Sequence, residues 1–109
     1  MAMTESEFNR QIDATLLQIE EALDECEVDI DYENSAGILT LELENGSQVI
    51  INRQIATQQL WLAAIDGGYH FDYSEDEQQW LLDRDGSELF TQLNRILSQQ
   101  SGEQVELAS

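Results

Sequence analysis

Residues 38–52, Ile38-Leu39-Thr40-Leu41-Glu42-Leu43-Glu44-Asn45-Gly46-Ser47-Gln48-Val49-Ile50-Ile51-Asn52, carry the pattern that decides the fold. Leu39, Leu41 and Leu43 alternate with Thr40, Glu42 and Glu44, the period of two expected of a strand with one buried face. Asn45-Gly46 follows, a pair that tolerates the positive φ a type I′ hairpin turn needs at both central positions. Residues 48–52 then return as the next strand. A connection this short admits only an antiparallel pair.

Working outward towards the N-terminus, residues 34–37 read as a turn. Residues 27–33 alternate again, with Val28, Ile30 and Tyr32 on one side and Glu27, Asp29, Asp31 and Glu33 on the other. Before them Phe8, Ile12, Leu16, Ile19 and Leu23 recur at spacings of three and four, which predicts an amphipathic helix over residues 5–25. Thr4 with Glu7 matches a capping box at its start. In the other direction, residues 58–64 predict a fourth strand with Leu60, Leu62 and Ala64 on one face and Gln59, Trp61 and Ala63 on the other. Gly67-Gly68 separates it from a fifth strand over residues 69–73, and residues 79–83 predict a sixth in which Trp80 and Leu82 share a face. Asp85, with Glu88 three residues on, reads as the cap of a second helix ending near Gln100, with a stripe of Leu89, Leu93, Ile96 and Leu97. Val105 and Leu107 in the polar tail are placed to pack back on the helices. Helix, six strands and helix predict an α+β two-layer sandwich, with two terminal helices packed on one face of a six-stranded antiparallel sheet. The other sheet face looks at solvent, and 109 residues suit a single domain over 1–109.

The charge is far from balanced: 23 Asp and Glu against four basic residues, for a net charge of -19. Eight of the acids, Glu20, Glu21, Asp24, Glu25, Glu27, Asp29, Asp31 and Glu33, fall within fourteen residues. Their position opposes local energetics. A helix C-terminus carries partial negative charge, so cations belong there, and Glu20/Asp24 and Glu21/Glu25 are like-charged pairs at i,i+4. General acidity, with a second looser run at Glu75, Asp76, Glu77, Asp83, Asp85 and Glu88, accounts for part of this. The density at a helix end points further, to collecting oxygen-loving cations or docking on a basic protein surface. The same charge argues against nucleic acid and against an anionic membrane as partners. No apolar run has signal-peptide or membrane-spanning length, so a soluble cytoplasmic protein is expected. Cys26, the only cysteine, excludes an internal disulfide and a cysteine metal cage, and a nucleophilic role is not expected of a thiol among carboxylates.

Carboxylates are hard ligands that suit Mg, Ca, Mn and iron without selecting among them. On an exposed helix and strand they predict weak, multi-site binding. Asp29-Ile30-Asp31-Tyr32-Glu33 has Asn34 where a calcium loop needs glycine, so the EF-hand reading fails. Alternation turns Trp61 outward beside Asn52 and Gln54, as an interface anchor would stand, and assigns Trp80 to the core. His70 is a candidate ligand or interface group, against the ordinary expectation of neither. No Ser/His/Asp set or phosphate loop is present, so catalysis has little to stand on.

Ile51-Asn52-Arg53-Gln54, Gln59-Leu60-Trp61-Leu62-Ala63 and Gly67-Gly68-Tyr69-His70-Phe71-Asp72 closely resemble the signature of the frataxin family, its bacterial members in particular. The likeness runs from Ser6-Glu7-Phe8 through Glu44-Asn45-Gly46-Ser47 and Asp83-Arg84 to Gln100. It implies an iron-binding protein of iron-sulfur cluster assembly that regulates the cysteine desulfurase and scaffold machinery as iron sensor or donor. It implies weakly bound Fe(II) or Fe(III) as the metal, with Glu20, Glu21, Asp24, Glu25, Glu27, Asp29 and Asp31 as ligands. Partner binding is implied for Glu20, Asp24, Asn52, Gln54, Trp61 and, less directly, His70. A monomer is expected, with iron-dependent oligomers left open. Departures from the family are a shorter link between first helix and first strand, Asn9 where some relatives carry histidine, and no proline anywhere. The competing functions are an iron-oxidising enzyme or iron store, and a general divalent-ion buffer.

Overall fold

The computed structural model describes residues 3–107; the outer ends of the expected 1–109 domain lie outside the described residues. The chain runs α1 (Glu5–Asp24), β1 (Ile30–Ser35), β2 (Ile38–Leu43), β3 (Gln48–Gln54), β4 (Gln59–Ala64), β5 (Gly67–Ser74), β6 (Gln79–Leu82) and α2 (Leu89–Ser101). The six strands form one sheet in sequence order, each antiparallel to the next. This is the α+β sandwich the alternation predicts. Phe8, Ile12, Leu16, Ile19 and Leu23 of α1 and Leu89, Leu93, Ile96 and Leu97 of α2 join Leu39, Leu41, Leu43, Val49, Ile51, Leu60, Leu62, Phe71, Trp80 and Leu82 in one buried core.

Several boundaries differ from expectation for identifiable reasons. β1 starts at Ile30, which pairs with Leu43, the last residue of β2. Residues 27–29 have no strand opposite them, so Glu27 and Asp29 lie in the α1–β1 connection although their side chains still alternate outward with Val28. The two-residue turn with both φ angles positive occurs at Ala36 (54°) and Gly37 (80°), not at Asn45-Gly46. There the loop is one residue longer: Gly46 alone has positive φ (85°), Gly46 N–H donates to Leu43 O and Leu43 N–H to Ser47 O, each at 2.9 Å. That is the three-residue hairpin with a glycine bulge. Asn45 is freed to accept from Ser47 N–H and to donate to the Gln100 carbonyl at the end of α2. The cap of α2 is Glu88, whose carboxylate accepts from Phe90 N–H (2.9 Å) and Thr91 N–H (3.3 Å). Asp85 is instead engaged by Ser87, which holds its carboxyl below the usual range. The Thr4–Glu7 capping box forms as expected.

Polar groups inside the core are matched. Trp80 Nε1–H donates to Thr15 Oγ1 at 2.9 Å, between the rings of Phe8 and Tyr73. Arg53, on the helix side of β3, donates to Asn9 and Asp13 of α1 and lies so close to Gly37 that a Cβ there would stand 3.3 Å from its guanidinium. One side chain thus ties helix, sheet and the first hairpin together.

The tail closes the helical layer. Val105 and Leu107 are 2% and 5% exposed. Ser98 Oγ both accepts from Val105 N–H and donates to Val105 O, and the Asn94 amide makes the same reciprocal pair with Leu107. Two α2 side chains therefore imitate a neighbouring strand. Ending the chain at Gly102 should cost on the order of 3–6 kcal/mol through the lost Val and Leu burial, read as a lower urea midpoint; an unchanged midpoint would show that the tail is no part of the core.

Candidate metal and partner surfaces

The end of α1 is acidic and carries no cation: its last turn holds no basic residue and Glu25 closes it. Two hydrogen bonds join it to the edge strand. Asn34 Nδ2–H donates to Glu20 Oε2 at 2.9 Å and Tyr32 O–H donates to Asp24 Oδ1 at 2.8 Å. Tyr32 and Asn34 lie on the helix side of β1 because they alternate with Asp31 and Glu33. Each fixes one carboxylate of α1 against the edge strand. Both were absent from the expected site, since Tyr32 reads as a core-facing residue and Asn34 as a turn residue.

The expected single ridge is in fact two rows. Glu20, Glu21, Asp24 and Glu25 follow the end of the helix, while Asp31 and Glu33 point to the open sheet face. Glu27 and Asp29, exposed in the connection, join the rows. Asp31 stands directly across the ladder from Glu42, a like-charged pair that weakens the β1–β2 edge and extends the open-face row. Neither of the arginine ion pairs among the described residues, Arg53–Asp13 and Arg95–Asp66, nor the His70–Asp83 contact reaches a ridge carboxylate. Among the described residues no cation pairs with the negative charge here. Among the described residues no three His, Cys, Asp or Glu side chains converge as a metal would require, so a cation meets scattered carboxylates rather than a cage.

A second surface lies on the open face. Asn52, Trp61 and His70 are directly opposed across β3, β4 and β5, and Gln54, Gln59 and Asp72 form the next row. Trp61 faces outward as expected but is half-buried, because its ring stacks on His70 with centroids 4.2 Å apart and planes at 15°. Its Nε1–H donates to Gln59 Oε1 at 3.0 Å, and Gln59 Nε2–H donates to Asp72 at 3.2 Å. Gln59 is the residue that sequence reading missed here. β4 is three strands from β1, about 14 Å at a strand spacing of roughly 4.8 Å. Ridge and patch are therefore separate surfaces that meet along one sheet face.

A frataxin-like domain model matches residues 1–103. The chain belongs to the frataxin-like family. Among relatives, the iron-sulfur cluster assembly protein CyaY of Ectopseudomonas mendocina is 46% identical over 106 residues, 97% of this chain and 96% of its own. That of Azotobacter vinelandii is 43% identical over the same shares. The solved frataxin of Psychromonas ingrahamii superposes with a TM-score of 0.89 at 39% identity, covering 98% of this chain and 100% of the other. Trimeric yeast frataxin complexed with ferrous superposes with a TM-score of 0.59 at 27% identity, over 94% and 90% of the two chains. Among the described residues of this frataxin-like chain, no helix is long and apolar enough to cross a membrane.

The seam between α1 and β1 gives a direct test. The Tyr32 hydroxyl is held above its ordinary range, first by its hydrogen bond to Asp24, then by desolvation and the charges of Asp24 and Glu20. A raised folded-state value means that this contact contributes fully below the unfolded tyrosine range and is lost as pH rises through the folded value. With the Tyr32 ring labelled for NMR, its ionisation should come later than that of a free tyrosine and earlier in Asp24→Asn; identical titrations would show that the seam does not hold Asp24.

Proposed function

We propose that this single-domain chain is an iron-binding protein of iron-sulfur cluster assembly that regulates a cysteine desulfurase and its scaffold partner, as iron sensor or donor. The observation that carries this reading is the fixed, uncompensated carboxylate row at the end of α1. Neighbouring like charges that no cation pairs with among the described residues are relieved by a bound cation or a basic partner surface. The relatives named as CyaY assembly proteins and the yeast relative complexed with ferrous support the same assignment.

The donors suit the cargo. Carboxylate oxygens from Glu20, Glu21, Asp24, Glu25, Glu27, Asp29 and Asp31 accept Fe(II) or Fe(III), and Mg, Ca and Mn as well. Because they do not converge, the affinity is low and several ions share the two rows. Glu20 and Asp24 also meet a basic region of the desulfurase, so iron and partner compete for the same charges, and docking weakens with salt. Asn52, Gln54, Trp61 and His70 form the second contact, with Trp61 as its anchor. The protein acts in the cytoplasm, as a monomer that iron can draw into oligomers. It is not an enzyme in this reading: oxidation of Fe(II) by air at a rate no faster than buffer would fit it, and catalysed oxygen uptake would favour the iron-oxidising alternative.

Replacing Glu20, Asp24 and Asp29 together by Lys should weaken both Fe(II) binding and desulfurase affinity at least roughly tenfold, about 1.4 kcal/mol. Desulfurase affinity that stays the same would remove docking from the ridge. Trp61→Arg should leave Fe(II) binding intact while disturbing the partner complex, and an unaltered complex would overturn the anchor assignment.

A further inference from the structure

Tyr32 is one of three tyrosines in the chain, and its hydroxyl stands where the first helix and the edge strand meet. Glu20 and Asp24 lie one turn apart on α1, about 6 Å along the helix axis. Tyr32 and Asn34 lie two residues apart on one face of β1, about 6.7 Å along the strand. The two repeats match, so each strand residue meets one carboxylate: Tyr32 O–H donates to Asp24 Oδ1 at 2.8 Å and Asn34 Nδ2–H to Glu20 Oε2 at 2.9 Å. The Tyr32 ring is partly buried against the core, which fixes the direction of its hydroxyl. Among the described residues, carboxylate, histidine and cysteine side chains alone do not converge in threes. Here a phenol oxygen joins two carboxylates, and the charges of both Asp24 and Glu20 act on it. Oxygens 2.8 Å apart, as those of Tyr32 and Asp24 are, span the edge of an octahedron whose ligands lie about 2.0 Å from a small hard ion.

We propose that Tyr32 is a ligand for Fe(III), its phenolate oxygen joining Asp24 and Glu20 in a ferric-selective site at the seam between α1 and β1. Carboxylates alone accept Mg, Ca, Mn and both oxidation states of iron. A phenol discriminates because it binds only as its anion: a trivalent ion displaces the proton near neutral pH, whereas divalent ions leave it in place. Tyrosine holds iron in this way on the haem of catalase. In the step the phenol O–H bond breaks, its proton passes to solvent and an Fe–O bond forms; iron enters as Fe(III) and no electron is transferred. The carboxylates that hold the proton on Tyr32 are the same charges that draw the cation in, and a bound ion reverses their effect on the phenol. Asn34 is a positioning residue that keeps Glu20 against the strand. The proposal rests on the iron-binding reading above and adds which oxidation state the seam retains: Fe(II) is spread over the two rows, and Fe(III) is held at Tyr32.

The test gives the full chain Fe(III) as its nitrilotriacetate chelate, followed by visible absorption and resonance Raman scattering, with an anaerobic Fe(II) titration by NMR as a second arm. Tyrosinate bound to Fe(III) gives a visible charge-transfer band whose Raman spectrum shows tyrosine ring modes; carboxylate-bound iron gives neither. The band is expected in wild type and in Tyr73→Phe, and not with Fe(II). Tyr32→Phe keeps the ring and removes only the hydroxyl. It should abolish the band and make Fe(III) at least roughly tenfold easier to remove with a competing chelator, while the Fe(II) perturbations of Glu20 to Asp31 stay as in wild type. The Trp80 indole N–H signal, bonded to Thr15 in the core, reports that the variant is folded. No band in wild type while Fe(II) perturbs the ridge, or a band that survives Tyr32→Phe, overturns the Tyr32 assignment and leaves the iron-binding reading standing. Absence of both the band and any Fe(II) perturbation overturns the two together.

Discussion

A meander of six antiparallel strands has two faces, and this chain has helices for only one of them. That constraint governs everything else. Apart from Arg53, the helix-facing residues that alternate along β2 to β6 are apolar or aromatic to meet α1 and α2, and the intervening residues are released to face solvent. Asn52, Gln54, Trp61, His70 and Asp72 are available as a surface because Ile51, Leu60, Leu62 and Phe71 fill the core between them. The edge strand β1 completes the layer, bringing Tyr32 and Asn34 against the end of α1 while Asp31 and Glu33 face the open side.

At that edge the fold tolerates an electrostatic conflict. A helix end with no cation, followed by a strand whose Asp31 faces Glu42, is repulsive by ordinary rules. Tyr32 and Asn34 offset part of it locally, through hydrogen bonds that fix Asp24 and Glu20 without neutralising them. Arg53 spends its charge elsewhere, on Asn9 and Asp13 nearer the start of α1. The remaining charge is available to a cation or a basic partner. Binding at such an edge should be weak and shared for the same reason that it is accessible: the carboxylates are held apart from one another on two sides of a strand.

Much of this could be read from the amino-acid order. The alternation from Leu39 to Leu43 and from Gln59 to Ala64 set the strands and their faces, because period-two burial leaves no other assignment. The apolar spacing of Phe8 to Leu23 set α1. The misplaced details share one cause: they depend on a partner distant in sequence. Residues 27–29 form no strand because β2 ends at Leu43; Asn45-Gly46 takes a longer loop, with its amide turned to the Gln100 carbonyl. Glu88 caps α2 in preference to Asp85, which a local bond to Ser87 occupies. At the site, the acidic residues and the outward Trp61 were legible, whereas the seam bonds of Tyr32 and Asn34, the division of the ridge into two rows and the Trp61–His70 stack exist only once the strands are in register.

In the proposed function the same carboxylates, at the end of α1 and on into β1, serve both iron and a basic partner. An anaerobic NMR titration of the labelled protein, with Fe(II) in one series and purified cysteine desulfurase in another, tests it most directly. Shared use of the ridge predicts that both series perturb the signals of Glu20 to Asp31. Perturbation by iron alone, with the desulfurase leaving those residues untouched, would contradict it.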